Sequence, residues 1–134
     1  MEINFIEVLV AAFAAFIVGW LWHGPVFGKK WMALEGMTPE RMAAMTMKPG
    51  MAMGLGFVSM YITAAVISWF AALLGTADVM GALGLAFAVW LGFTMTTLAG
   101  KWLWEGRSFG LFAFNAIYSF VSLFVMAYVI ALWN

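Results

Sequence analysis

Apolar residues dominate four stretches of the chain: Asn4 to Trp22, Met51 to Leu74, Val79 to Trp104 and Phe109 to Trp133. Each is close to the roughly 20 residues a helix needs to cross hydrocarbon. A transmembrane β-barrel alternates apolar and polar positions in segments of about ten residues, whereas Val8 to Leu21 is apolar on every face. Hydrocarbon gives backbone N–H and C=O groups no partner, so the helix is the spanning form left. The pattern predicts an all-α membrane protein, with four transmembrane helices in one domain over residues 1–134.

Between the first two spans lies the one long polar segment, His23 to Gly50. Thr38 is placed to cap a short helix starting at Pro39, and Lys48-Pro49-Gly50 is expected to break the chain before the second span. Trp31, Met32, Leu34, Met42 and Met45 would then lie on apolar faces of short helices resting in the membrane surface. The connection Gly75 to Asp78 is short, so the second and third spans form a tight reversal.

Charge adds direction to this outline. All six cations lie on one side: Lys29, Lys30, Arg41 and Lys48 in the first connection, and Lys101 and Arg107 around the third. The positive-inside rule makes those connections cytoplasmic and turns both termini outward. Trp20, Trp22, Trp102, Trp104 and Trp133 mark span ends, as interfacial anchors do. Met1 to Trp22 has Glu2 and Glu7 where a secretory signal carries cations, so it is expected to be a retained span.

Composition then removes whole classes of function. The chain is 66% hydrophobic and 9% charged with zero net charge, which leaves no basic patch for nucleic acid. Zero Cys removes disulfides, iron–sulfur clusters, thiolate metal sites and cysteine nucleophiles. One His, with no GxSxG, HExxH or phosphate-binding glycine loop, predicts a protein that is not an enzyme and holds no cofactor or metal.

An internal repeat organises the spans. Trp20-Leu21-Trp22-His23-Gly24-Pro25-Val26-Phe27-Gly28 matches Trp102-Leu103-Trp104-Glu105-Gly106-Arg107-Ser108-Phe109-Gly110 as W-L-W-x-G-x-x-F-G. Phe57 and Tyr61 on the second span share the spacing of Phe114 and Tyr118 on the fourth. Both motif copies follow an odd-numbered span, which predicts two helical hairpins related by an axis along the membrane normal. Gly24 and Gly106 are expected to leave their helices in the left-handed conformation. The differing polar slot holds His23 in one copy and Glu105 in the other, a candidate proton or ion site if the two meet.

At these residues the chain resembles the bacterial membrane family named for domain of unknown function 1761. The likeness rests on Trp22-His23-Gly24-Pro25-Val26-Phe27-Gly28-Lys29-Lys30-Trp31, and on Glu105-Gly106-Arg107-Ser108-Phe109 leading into Asn115, Tyr118, Ser122 and Leu123. It extends over nearly the whole chain. The resemblance implies a small four-helix protein of the bacterial inner membrane and supplies no activity.

The remaining polar residues define the candidate chemistry. Asn115, Ser119 and Ser122 share one face of the last span, Ser59 and Thr63 one face of the second, and Thr94 and Thr97 one face of the third. Such stripes serve interhelical hydrogen bonding or line a solute path. Glu7 lies about one turn inside the first span, where a carboxylate reaches water, a partner or an ion. Lys101 and Glu105 are spaced to pair, and Lys29, Lys30 and Arg107 are placed for lipid headgroups. Met42, Met45, Met47, Met51 and Met53 have spacings that suit Cu(I), but Met also fills irregular apolar gaps, and packing is the role expected. Glycine- and alanine-lined faces favour close helix contact and a homodimer. The leading expectation is a solute or ion bound or passed through a polar seam of Asn115, Ser119 and Thr63. The competing one is an accessory subunit of a larger membrane complex, or a lipid-interacting scaffold.

Overall fold

The computed structural model describes residues 3–133; Glu2 and Asn134, which enter the reading of the termini, lie outside them. Four helical stretches are long and apolar enough to cross a membrane: Phe5–Val26, Pro49–Leu74, Val79–Trp104 and Phe109–Trp133. Asn4 starts α1 (Phe5–Leu21), its side chain accepting the backbone N–H groups of Ile6 and Glu7 at 3.0 and 3.2 Å, which satisfies two of the helix's orphan donors.

The first span does not end at Trp22. The helix widens into a π-helical turn, Trp22–Val26, whose continuation is the Phe27 N–H bond to the Trp22 carbonyl at 3.1 Å. Gly24 therefore sits at φ −115°, ψ −105°, and the left-handed exit expected there is absent. Gly106 does adopt it, at φ +69°. The two motif copies thus share residues but not a turn: Pro25 follows Gly24 inside the widened helix, while Gly106 ends a helix outright. Gly28 opens α2 (Gly28–Glu35) so close beneath this turn that a Cβ there would lie 3.0 Å from the His23 carbonyl oxygen.

Thr38 caps α3 (Pro39–Ala43) as expected, accepting the Arg41 N–H at 3.1 Å. Pro49 begins α4 (Pro49–Leu74) rather than standing outside it, because the first helical position needs no N–H. After Gly75, Asp78 accepts the Gly81 N–H at 2.7 Å and starts α5 (Val79–Val89). A second wide turn, Trp90–Met95, joins α5 to α6 (Thr96–Trp104). The last span is α7 (Phe109–Trp133).

Helix α7 is the hub. It packs against α1 on one side and α5 on the other, α4 leans on α1 and less fully on α7, and α4 and α5 meet only lightly. Each odd-numbered span touches the even one that follows it, yet the broad α1–α7 contact has no counterpart of similar extent between α4 and α5. The core is built from small residues: Ala11, Ala12 and Ala15 on α1, Ala64 and Ala71 on α4, and Ala127 and Ala131 on α7 are all at most 2% exposed. Lipid tails are as apolar as any core, so close backbone approach and its dispersion gain hold such helices together. This alanine-rich contact fills the half of the bundle nearer Gly75–Asp78. Toward the end that carries the cations, the same helices are separated by aromatic rings.

Candidate functional site

The serine and threonine stripes do not assemble into one seam. Thr63 donates to the Ser59 carbonyl at 3.1 Å, Thr97 to that of Phe93 at 2.6 Å and Ser119 to that of Asn115 at 2.8 Å. Each bond stays within one helix, one turn back, which is how hydroxyls satisfy themselves in an apolar surround. Ser122 is buried and reaches the Met60 sulfur at 3.9 Å. Asn115 and Thr94 are half-buried, and among the described residues no side-chain hydrogen bond joins either to Ser59 or Thr63.

His23 stands instead at the centre of an aromatic cluster. Its Nδ1 lies 2.9 Å from the Gly19 carbonyl oxygen, one turn back on α1. Its ring meets Tyr118 edge-on with centroids 4.6 Å apart, and Trp31 at 5.3 Å. A carbonyl only accepts, so Nδ1 carries a proton, and in the neutral imidazole Nε2 is left with a lone pair. Beside the ring opens a crevice of about 800 Å³, lined by Phe16, Trp20, Trp31, Met53, Met60 and Tyr118. Gly19 belongs to its wall because Tyr118 fills the space a side chain there would need. Trp22, one residue earlier, turns to the other side and packs against Phe27, Phe114 and Tyr118. Its indole N–H is buried without a hydrogen-bond partner among the described residues. Trp22 also lines a second crevice, of about 480 Å³, with Lys30 at its edge.

Glu105 is exposed at the end of α6. Its backbone N–H donates to the Lys101 carbonyl at 3.2 Å, but no side-chain hydrogen bond or ion pair joins its carboxylate to His23 or to Lys101 among the described residues, so neither of those side-chain pairings forms. Arg107 turns to Glu35, donating to its carboxylate at 2.5 Å and to its carbonyl at 3.3 Å. Arg41 also donates to that carbonyl. Glu35, which the sequence reading passed over, thereby ties the end of α2 to the start of α7. Lys29 and Lys30 stand exposed in the first turn of α2.

Glu7 is 3% exposed between α1 and α4, with the Ser68 hydroxyl 3.4 Å from Oε1. Glu7 and Ser68 line a small pocket of about 230 Å³ with Gly75, Thr76 and Ala77. The alanine contact separates this pocket from the aromatic crevice at the far end. Among the described residues no three His, Cys, Asp or Glu side chains gather as metal ligands.

A family model described as protein of unknown function, DUF1761, matches residues 6–131. No curated protein and no solved structure matches the chain.

Proposed function

Because the chain belongs to the DUF1761 family, which carries no activity to inherit, we propose from its own chemistry that it is a non-enzymatic membrane protein binding an amphiphile. The occupant has an apolar body and a head group with a hydroxyl or N–H. The observation that carries this reading is the crevice of about 800 Å³ with an apolar wall and one orientated imidazole. Cavities of roughly 300–1,000 Å³ with few fixed polar groups are typical small-molecule sites. In the neutral imidazole Nε2 accepts, so a head group that meets it there donates. Binding is favoured over passage because the alanine contact between the two ends of the bundle is closed, with Ala11, Ala12, Ala15 and Ala64 fully buried. The self-satisfied hydroxyls of the stripes support the same choice. We further propose that the cationic end is cytoplasmic, in the inner membrane of a bacterium, so that the crevice faces the inner leaflet.

The test compares a long-chain alcohol with its methyl ether, titrated into the detergent-solubilised protein and followed through tryptophan emission, since Trp20 and Trp31 line the crevice. One hydrogen bond to a partly buried acceptor contributes about 1 kcal/mol, so the alcohol should bind several-fold more tightly. His23→Phe should abolish that preference. Equal affinity for alcohol and ether in the parent protein would sink the proposal, and failure of either to bind would favour the scaffold reading.

A further inference from the structure

Met32, Met37, Met42, Met45 and Met47 line one crevice of about 400 Å³, with Trp31 at its edge. They come from α2, the turn after it, α3 and the chain leading into α4. Separate pieces of backbone must fold together before these thioethers border a single space. Filling of a core gap does not explain them: Met42, Met45 and Met47 are 51%, 53% and 42% exposed, whereas a gap-filling Met is enclosed. The polar groups lining the crevice are Thr46 and Lys48. An oxygen- or imidazole-seeking divalent ion finds little there.

We propose that this crevice binds a soft monovalent cation, Cu(I) or Ag(I), through two or three of the thioether sulfurs. Thioethers are neutral, polarisable ligands that select Cu(I) over harder metals. Because they bring no charge, the bound site keeps its single positive charge, and the indole face of Trp31 suits a cation lying near it. Lys48 carries its ammonium on a four-carbon stem and can hold it in water while the stem lines the wall. The chain has no Cys, so no thiolate competes for the ion. This site borders the amphiphile crevice at Trp31 and Met42 but uses different chemistry, and its test does not depend on that reading.

The experiment titrates the full chain in detergent micelles with Ag(I), and with Cu(I) under a reductant against a coloured Cu(I) chelator. One ion per chain is expected, with a change in tryptophan emission that Trp31→Phe diminishes. The triple variant Met42→Leu, Met45→Leu, Met47→Leu should lose at least about tenfold in affinity; Leu conserves volume and apolarity, so the fold is kept. Met80→Leu, at a site 73% exposed beside the Gly75–Asp78 connection, should bind as the parent does. Absence of bound Ag(I) and Cu(I), undiminished affinity in the triple variant, or equal competition by Zn(II) would each overturn the assignment.

Discussion

Substituting Gly19 by Ala tests how tightly the aromatic end is closed. A Cβ at this position would lie 2.6 Å from the Tyr118 hydroxyl oxygen, with the ring carbon Cζ at 3.4 Å and Cε1 at 3.7 Å. The clash therefore belongs almost wholly to one oxygen atom. Relief by moving α1 away from α7 would open the alanine contact that joins them further along. Relief by rotating Tyr118 would disturb its edge-on contact with His23. Overpacking of this kind costs about 1–3 kcal/mol. Tyr118→Phe removes the oxygen and leaves a nearest approach of 3.4 Å, an ordinary contact. The double variant should accordingly recover most of the loss, giving a coupling energy of about 1–2 kcal/mol between neighbouring sites. The four proteins are compared by reversible unfolding in mixed micelles as the fraction of denaturing detergent rises. Because Gly19 and Tyr118 both line the His23 crevice, Gly19→Ala should also weaken amphiphile binding. Additive effects of the two substitutions, or a Gly19→Ala protein as stable as the parent, would refute the packing described.

Two further outcomes follow from the cationic end. Arg107→Ala removes the tie between α7 and Glu35; both partners are partly exposed, so global stability should fall by no more than about 1 kcal/mol, while amide exchange over residues 28–48 should speed up clearly. Since the chain has no Cys, single Cys substitutions at Ala77 and Lys48 report sidedness directly: a membrane-impermeant thiol reagent applied to intact cells should label the first and spare the second, and the opposite result would reverse the orientation.

The four long apolar helices were legible in the sequence because they rest on the length and apolarity of continuous runs, which need no knowledge of neighbours. Thr38 before Pro39 was legible for the same reason: a cap is a local bond. The first boundary was misplaced by a few residues. Gly24-Pro25 read as an exit, but a helix can widen by one bond position and absorb them. The site was far less legible. Periodicity shows that Ser59 and Thr63 share a face, but it does not say which helix that face meets, and hydroxyls one turn apart bond to their own backbone. His23 was singled out as the polar slot of the repeat. Its neighbours Tyr118 and Trp31, however, arrive through packing, and the repeat's symmetry pointed to Glu105 instead. Glu35 gave no signal beyond its charge, while Met32 and Met37 lay outside the run of closely spaced methionines that drew attention.

The third span has a mechanical consequence. Trp90 donates its indole N–H to the Ala116 carbonyl at 2.8 Å, fastening that span to α7 where its backbone widens. Beyond this rivet, Trp102, Leu103 and Trp104 are exposed, Trp104 at 87%. At 1.5 Å per residue, the arm from Trp90 to Trp104 is roughly 21 Å long, and it is held again near its tip, where Trp102 stacks on Phe112 with centroids 5.8 Å apart and meets Phe109 edge-on at 5.1 Å. The third span is thus a strut pinned to α7 at two points, standing on one flank of the cationic end opposite the loop clamped by Glu35.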